Sequence, residues 1–115
     1  MWITEEERVQ VNKVILVGRV VQSPDIRYTQ NGKAVCSFSV AVDYQTKVRE
    51  ETEYIDCVAW DTLAESIAIR LVKDRKVALE GRLHVRRLEG DDGQKRKVTE
   101  VVVRDVEFMS ETETA

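Results

Sequence analysis

Between Cys36 and Asp43 the chain alternates without a break. Cys36, Phe38, Val40 and Val42 fall on one side, and Ser37, Ser39, Ala41 and Asp43 on the other. That period of two is the signature of a half-buried β-strand. Before it, "VNKVILVGRVV" (Val11 to Val21) is β-branched and apolar, with Gly18 near its middle. A glycine inside a strand pattern predicts a bulge or a sharp bend, as a small barrel needs where a strand turns a corner. The intervening "QSPDIRYTQNGKA" is punctuated by Pro24 and by Asn31-Gly32, which predict turns. After the alternating strand, "QTKVREETE" predicts a solvated hairpin loop, and "TEYIDCVAW" returns to a strand pattern.

The period then changes. Leu63, Ile67 and Leu71 recur at i+4, flanked by Ala64 and Ala68, which gives one apolar stripe on a short helix. Thr62 with Glu65 fits a capping box, and Asp61 could serve as the cap instead. Such a helix needs a surface to lie on, and the end of the sheet offers one. "RKVALEGRLHVRR" alternates again, with Val77, Leu79, Leu83 and Val85 predicted inward and Gly81 at a second possible bend. "LEGDDGQK" predicts a turn, and "RKVTEVVVRDVEF" a last strand. The order is strand, strand, strand, helix, strand, strand. That order predicts an all-β OB-fold, a five-stranded Greek-key barrel with one α-helix between its third and fourth strands.

A chain of 115 residues is the size of one domain. We divide it into a leader (1–10), the OB-fold body (11–109) and a short acidic tail (110–115). The formal net charge of -3 argues mildly against nucleic acid. Much of that charge lies in the end segments, and residues 12–108 hold 17 basic against 16 acidic residues. Any basic groove must come from sorting charge over the surface. The start "MWITEEERVQ" is acidic without an apolar run, unlike a signal peptide, and no segment approaches the ~18 apolar residues of a membrane span. A cytoplasmic, nucleoid-associated protein is expected.

Tyr54 and Trp60, two of the seven aromatics, are both even-numbered and so share a face of their strand with Asp56 and Val58. Six residues at ~3.3 Å each separate them by about 20 Å, enough to serve different nucleotides. They are either half-buried core or a platform for stacking flat rings. Arg82, Arg86 and Arg87 lie on the fourth of the five strands, and Lys95, Arg96 and Lys97 open the fifth. A hairpin with such flanks is either a solvated face or a track for a phosphate backbone.

At this point "NKVILVGRVVQSPDIRYTQNGKAV", "FSVAV", "TEYIDCVAWDTLAE", "VALEGRL" and "VTEVVV" together resemble the bacterial-type single-stranded DNA-binding proteins. The similarity spans about Val11 to Phe108, with order and spacing kept. It implies an OB-fold, a homotetramer built as a dimer of dimers with DNA wrapped around it, and no catalysis. It also implies roles in replication, recombination and repair. Trp60 and Tyr54 match two positions on which bases stack in that family. Leu88 falls where a third stacking aromatic is frequent, and leucine has no π-face. Near Thr46, where another tryptophan is common, the nearest aromatic is Tyr44. Arg27, Lys73, Arg86 and Arg87 lie at or near basic positions of relatives, and with Arg82 they are expected to meet phosphates. The family's long linker and acidic tip, which recruit repair and replication enzymes, have no counterpart before the chain stops at Ala115. The recruiting role is therefore not carried over.

The remaining chemistry is sparse. Cys36 and Cys57 make neither a zinc site nor a disulfide framework and are expected to be reduced and buried. Asp91-Asp92-Gly93 lacks the ligand series of a calcium loop and predicts a turn. His84, the single histidine, falls opposite Val85, with no second histidine or nucleophile to form a triad or metal site. No catalytic residue, cofactor or metal is expected. The apolar first strand either pairs with its copy across a dimer axis or is a capped edge. Single-stranded DNA is the expected partner, with RNA left open. A second reading, from another class, is a protein-interaction adaptor of replication restart whose DNA contact is secondary.

Overall fold

The computed structural model describes residues 10–110. The expected leader and tail fall outside the described residues except at Gln10 and Ser110. The elements are β1 (Val14–Val20), β2 (Asp25–Tyr28), β3 (Ala34–Gln45), β4 (Glu50–Trp60), α1 (Asp61–Ala68), β5 (Lys76–Glu89) and β6 (Lys95–Phe108). Five of the six strands close a ring. β1 pairs with β5, β5 with β6, β6 with β4, β4 with β3, and β3 with β1. Only β4 and β6 run parallel, at Cys57↔Val101 and Val58↔Val102. This is the expected barrel, with the helix between its third and fourth strands.

Alternation decides what the ring encloses. Cys36, Phe38 and Val40 of β3, Cys57 and Ala59 of β4, Val77 and Leu79 of β5, and Val101 and Val103 of β6 all point into one buried core. Helix α1 packs on β3, β4 and β6, burying Ala64 and Ile67, and Leu71 just beyond it is fully buried. The apolar stripe is as expected, but the capping box does not form. Trp60 is itself the N-cap, with extended backbone and no side-chain capping bond. Strand turns into helix with no linker, through Asp61 at φ 58°. Asp is among the few non-glycine residues that tolerate that left-handed conformation. Phe108 closes another part of the barrel under the Arg70 guanidinium, 4.0 Å from the ring centroid.

Gly18 and Gly81 sit where the ring closes. A Cβ on Gly18 would lie 2.4 Å from the Ala41 carbonyl oxygen, where β1 passes from β5 to β3. At Gly81 the β5–β6 register slips. Glu80 faces Asp105 while Gly81 faces Val103, which leaves Arg104 as an extra, unpaired residue in a β-bulge.

Three expectations are corrected. "DIRY" is a short strand, β2, added to the edge of β3 rather than part of a turn. The expected solvated loop "QTKVREETE" is largely strand, since the β3–β4 ladder runs out to Gln45↔Glu50 and leaves only residues 46–49 as the loop. Leu83 and Val85 do not point inward: they are 47% and 51% exposed. Past Gly81 the side chains of β5 are no longer buried, and Val101, opposite Leu83, is the last residue of β6 towards the hairpin that belongs to the core. Cys36 and Cys57 are buried free thiols as expected. Burial, with the charge of Asp56 second, pushes the Cys57 thiol up to about 12. No helix of the described residues is long and apolar enough to cross a membrane.

Candidate nucleic-acid interface

The outward side chains of five strands form one continuous face, and the strand registers specify it. Asp25 on β2 faces Ser37 on β3, which faces Val58 on β4. Val58 faces Val102 on β6, and Val102 faces Arg82 on β5. One row thus crosses from an acidic edge over an apolar floor to a basic edge. Arg27, Val35 and Trp60 line up in the same way one step along β2, β3 and β4. Ser39 and Asp56 pair on the other side of the row, Ser39 Oγ donating to Asp56 Oδ1 at 2.9 Å.

These residues enclose a trough. Its centre, about 550 Å³, is floored by Val35, Val58 and Val102 and walled by Trp60, Arg82, His84 and Arg86. A second cavity of about 300 Å³ shares Ser37, Arg86 and Glu100 with the first and extends it past Asp25 and Asp56. Glu100 ties the wall together. Its carboxylate accepts from Arg86 Nε at 3.1 Å and lies 3.5 Å from His84 Nδ1. Trp60 is 42% exposed on this trough, and its ring is held at the rim because the chain turns into α1 directly behind it.

The predicted residues divide. Trp60, Arg82 and Arg86 line the trough together. Arg27 borders it on β2, its Nε bonded to Asp25 at 2.8 Å. Leu88 stands further out on the same face of β5, opposite Arg96 and 43% exposed. Tyr54 shares the face of Trp60, as the sequence predicts, and is 66% exposed opposite Ala41, beyond the trough's end at Asp56. Three candidates are not brought in. Tyr44 has the parity of the core-facing residues of β3, so it projects from the ladder face opposite to Tyr54. Arg87 pairs with Lys97 on the reverse of the β5–β6 hairpin, the side of Leu83 and Val85. Lys73 is exposed on the connection between α1 and β5 and lines no part of the trough. Near Tyr54, the Thr52 hydroxyl and then the Arg19 guanidinium hold the Asp43 carboxyl below its ordinary range.

Sequence reasoning missed a cleft next to the trough. Arg82 and Val102 also line a cleft of about 460 Å³ over the bulge, together with Asn12, Lys13, Glu80 and Arg104. Asn12 is fixed there by a reciprocal pair of bonds to the Leu83 backbone, both 2.8 Å. Among the described residues no group of histidine, cysteine, aspartate and glutamate could hold a metal ion.

Residues 11–109 match the Single-strand binding protein family. The chain belongs to that family. It is 42% identical to the single-stranded DNA-binding protein of Bacillus cereus over 102 residues, which cover 86% of this chain and 60% of that one. Single-stranded DNA-binding protein A of Bacillus subtilis is 39% identical over 102 residues, covering 86% and 59%. The chain thus spans about three-fifths of the length of these curated relatives. A solved structure described as a Plasmodium falciparum SSB complex with ssDNA superposes with a TM-score of 0.80 at 26% identity, covering 90% of this chain and 99% of that one. Members of the family are binding proteins, and the fold that carries the trough is the OB-fold of that neighbour.

Proposed function

We propose that this protein binds single-stranded DNA without reading its sequence and protects exposed strands in replication, recombination and repair. In this reading residues 11–109 are the binding domain and act without catalysis. Bases stack on Trp60 and Tyr54, while Arg82, Arg86 and Arg27 meet phosphates and Leu88 adds apolar contact. Every base has a π-face, so stacking needs no particular sequence, and removal of a stacking aromatic costs roughly 1–3 kcal/mol. That figure comes from single-strand binding proteins of this kind. The observation that carries the reading is the placement of Trp60, part exposed, over an apolar floor between arginines. The family membership and the names of its relatives support it.

Assembly as a homotetramer in the cytoplasm completes the reading. Ile15 and Val17 on the outer face of β1 are 67% and 48% exposed, and among the described residues the edge of Val14–Gly18 away from β5 has no strand partner. An apolar, unpaired edge invites a second copy. Sedimentation at micromolar concentration checks this, and a 13 kDa species would remove it.

The test of binding uses a Trp2→Phe variant, so that Trp60 is the only reporter. Oligo-dT should quench its emission, and affinity should fall steeply with salt as counterions are released. Duplex of equal length should compete poorly. Unchanged emission together with equal duplex binding would overturn the reading.

A further inference from the structure

Asp56 places a negative charge between Tyr54 and Trp60, the two rings of the proposed single-strand path. Alternate residues of a strand share a side, so on the outward face of β4 it follows Tyr54 and precedes Val58 and Trp60. At ~3.3 Å per residue it lies about 7 Å from Tyr54 and about 13 Å from Trp60 along the strand. Its carboxylate is exposed and is held from the neighbouring strand, Ser39 Oγ donating to Oδ1 at 2.9 Å. Beside it opens the cavity of about 300 Å³, which Asp25, Asp56 and Glu100 line together with Arg86. Two of those three carboxylates are already matched by a cation. Arg27 Nε donates to Asp25 at 2.8 Å, and Arg86 Nε to Glu100 at 3.1 Å. Among the described residues Asp56 has no cation partner, and its Oδ2 accepts no hydrogen bond.

An ionised carboxylate only accepts hydrogen bonds. It repels a phosphate, so what it meets on a bound strand is the edge of a base. Unpaired bases keep their hydrogen-bonding edges free. Cytosine presents an amino group at C4, from which acidic side chains accept. Thymine presents a carbonyl oxygen at the same place, which a carboxylate repels. We propose that Asp56 is a specificity-determining residue that favours cytosine over thymine at one position of the path. Its Oδ2, free because Ser39 holds Oδ1, accepts from the exocyclic amino group of the base that lies between the Tyr54 and Trp60 stacking positions. The proposal rests on the reading of this face as a single-strand site. Stacking still admits every sequence, and Asp56 adds a bias of composition to it.

The experiment compares the Trp2→Phe protein with its Asp56→Asn and Asp56→Ala versions. Each is titrated with oligo-dC and oligo-dT of equal length at one salt concentration, with Trp60 quenching as readout. The two pyrimidines are alike in size, and the loss of a charge that repels phosphate acts on both oligomers alike. The ratio of dC to dT affinity therefore isolates the base contact. Asp56 is exposed, Asp56→Asn keeps the side chain's shape and an oxygen for Ser39, and thermal melts confirm that both variants fold. Each variant should lower the dC-to-dT ratio about three- to tenfold, the net worth of one hydrogen bond on an open face. A ratio that is the same in parent and variants, or a loss of affinity shared equally by both oligomers, overturns the proposal while leaving the strand-binding reading intact. A parent protein that binds neither oligomer overturns that reading and the proposal with it.

Discussion

Arg86 donates from Nε to Glu100 at 3.1 Å, so one of the two arginines that wall the trough is already paired by a carboxylate on the neighbouring strand. Glu100 is only 14% exposed, whereas Arg86 is 46% exposed. The pair therefore holds the guanidinium at the wall but takes up part of its charge. Exposed pairs are worth about 0.2–1 kcal/mol, which sets the scale of the competition with a phosphate. Glu100→Gln should strengthen binding of oligo-dT at low salt by about two- to fivefold. The salt slope should become steeper by up to about 0.7, since one more cation is available to displace counterions. Weaker binding would mean that positioning of Arg86 outweighs its neutralisation.

Stacking positions should not be equivalent. Trp60→Ala and Tyr54→Ala should each lose roughly 1–3 kcal/mol of binding, with Trp60 the larger because the apolar trough floor flanks it. Leu88 has the right face of β5 but no aromatic ring. Leu88→Trp should gain affinity, up to the same 1–3 kcal/mol, and most with oligomers long enough to reach the hairpin tip. Tyr44→Ala should change affinity by less than Tyr54→Ala, because it projects from the opposite face of the ladder. Equal losses at Tyr44 and Tyr54 in a quenching titration would contradict that placement.

The parity of Tyr54 and Trp60 and the alternation of Cys36 to Asp43 were legible because one strand contains them entirely. So was the helix stripe of Leu63, Ile67 and Leu71, flanked by Ala64 and Ala68, all of which lie in or against the core. What stayed hidden depends on relations between strands. Leu83 and Val85 alternate like core residues, yet the slip at Gly81 carries their part of β5 past the barrel rim. Arg104 and Lys13 are separated by most of the chain, yet both line one cleft with Arg82. Arg87 looks equivalent to Arg86 in a basic run, although a period of two places them on opposite faces. The capping box failed for a local reason: Trp60, at the strand's end, already occupies the N-cap position.

The bulge itself can be tested. A Cβ on Gly81 would meet the Val102 carbonyl oxygen at 2.2 Å and Val101 Cγ1 at 3.0 Å. The first obstacle is backbone, which cannot swing aside as a flexible side chain does. Gly81→Ala should destabilise the fold by about 1–3 kcal/mol, the range for overpacking a filled site, read as a lower urea midpoint. It should also weaken binding beyond what stability explains, since Arg82 on the wall of the trough stands directly beside the slip. A variant with unchanged midpoint and affinity would show that the register adapts freely.

The buried thiol at Cys57 makes the last prediction, and its sign follows from burial. In the folded chain the thiol titrates at about 12 rather than 9.0, because the low-polarity interior and, second, the Asp56 charge disfavour the thiolate. The unfolded chain therefore releases this proton first as pH rises. Below pH 9 the native advantage is intact, and it is lost progressively as pH climbs from 9 towards 12. Urea unfolding at pH 8 and at pH 10.5 should show lower stability at the higher pH. Cys57→Ala should start from a lower stability at pH 8, because it opens a cavity, but should lose less between the two conditions. Thiol reagents should label the native protein slowly at pH 8 and the unfolded chain quickly, since only the thiolate reacts. An equal pH dependence in parent and variant would mean that the interior around Cys57 admits water.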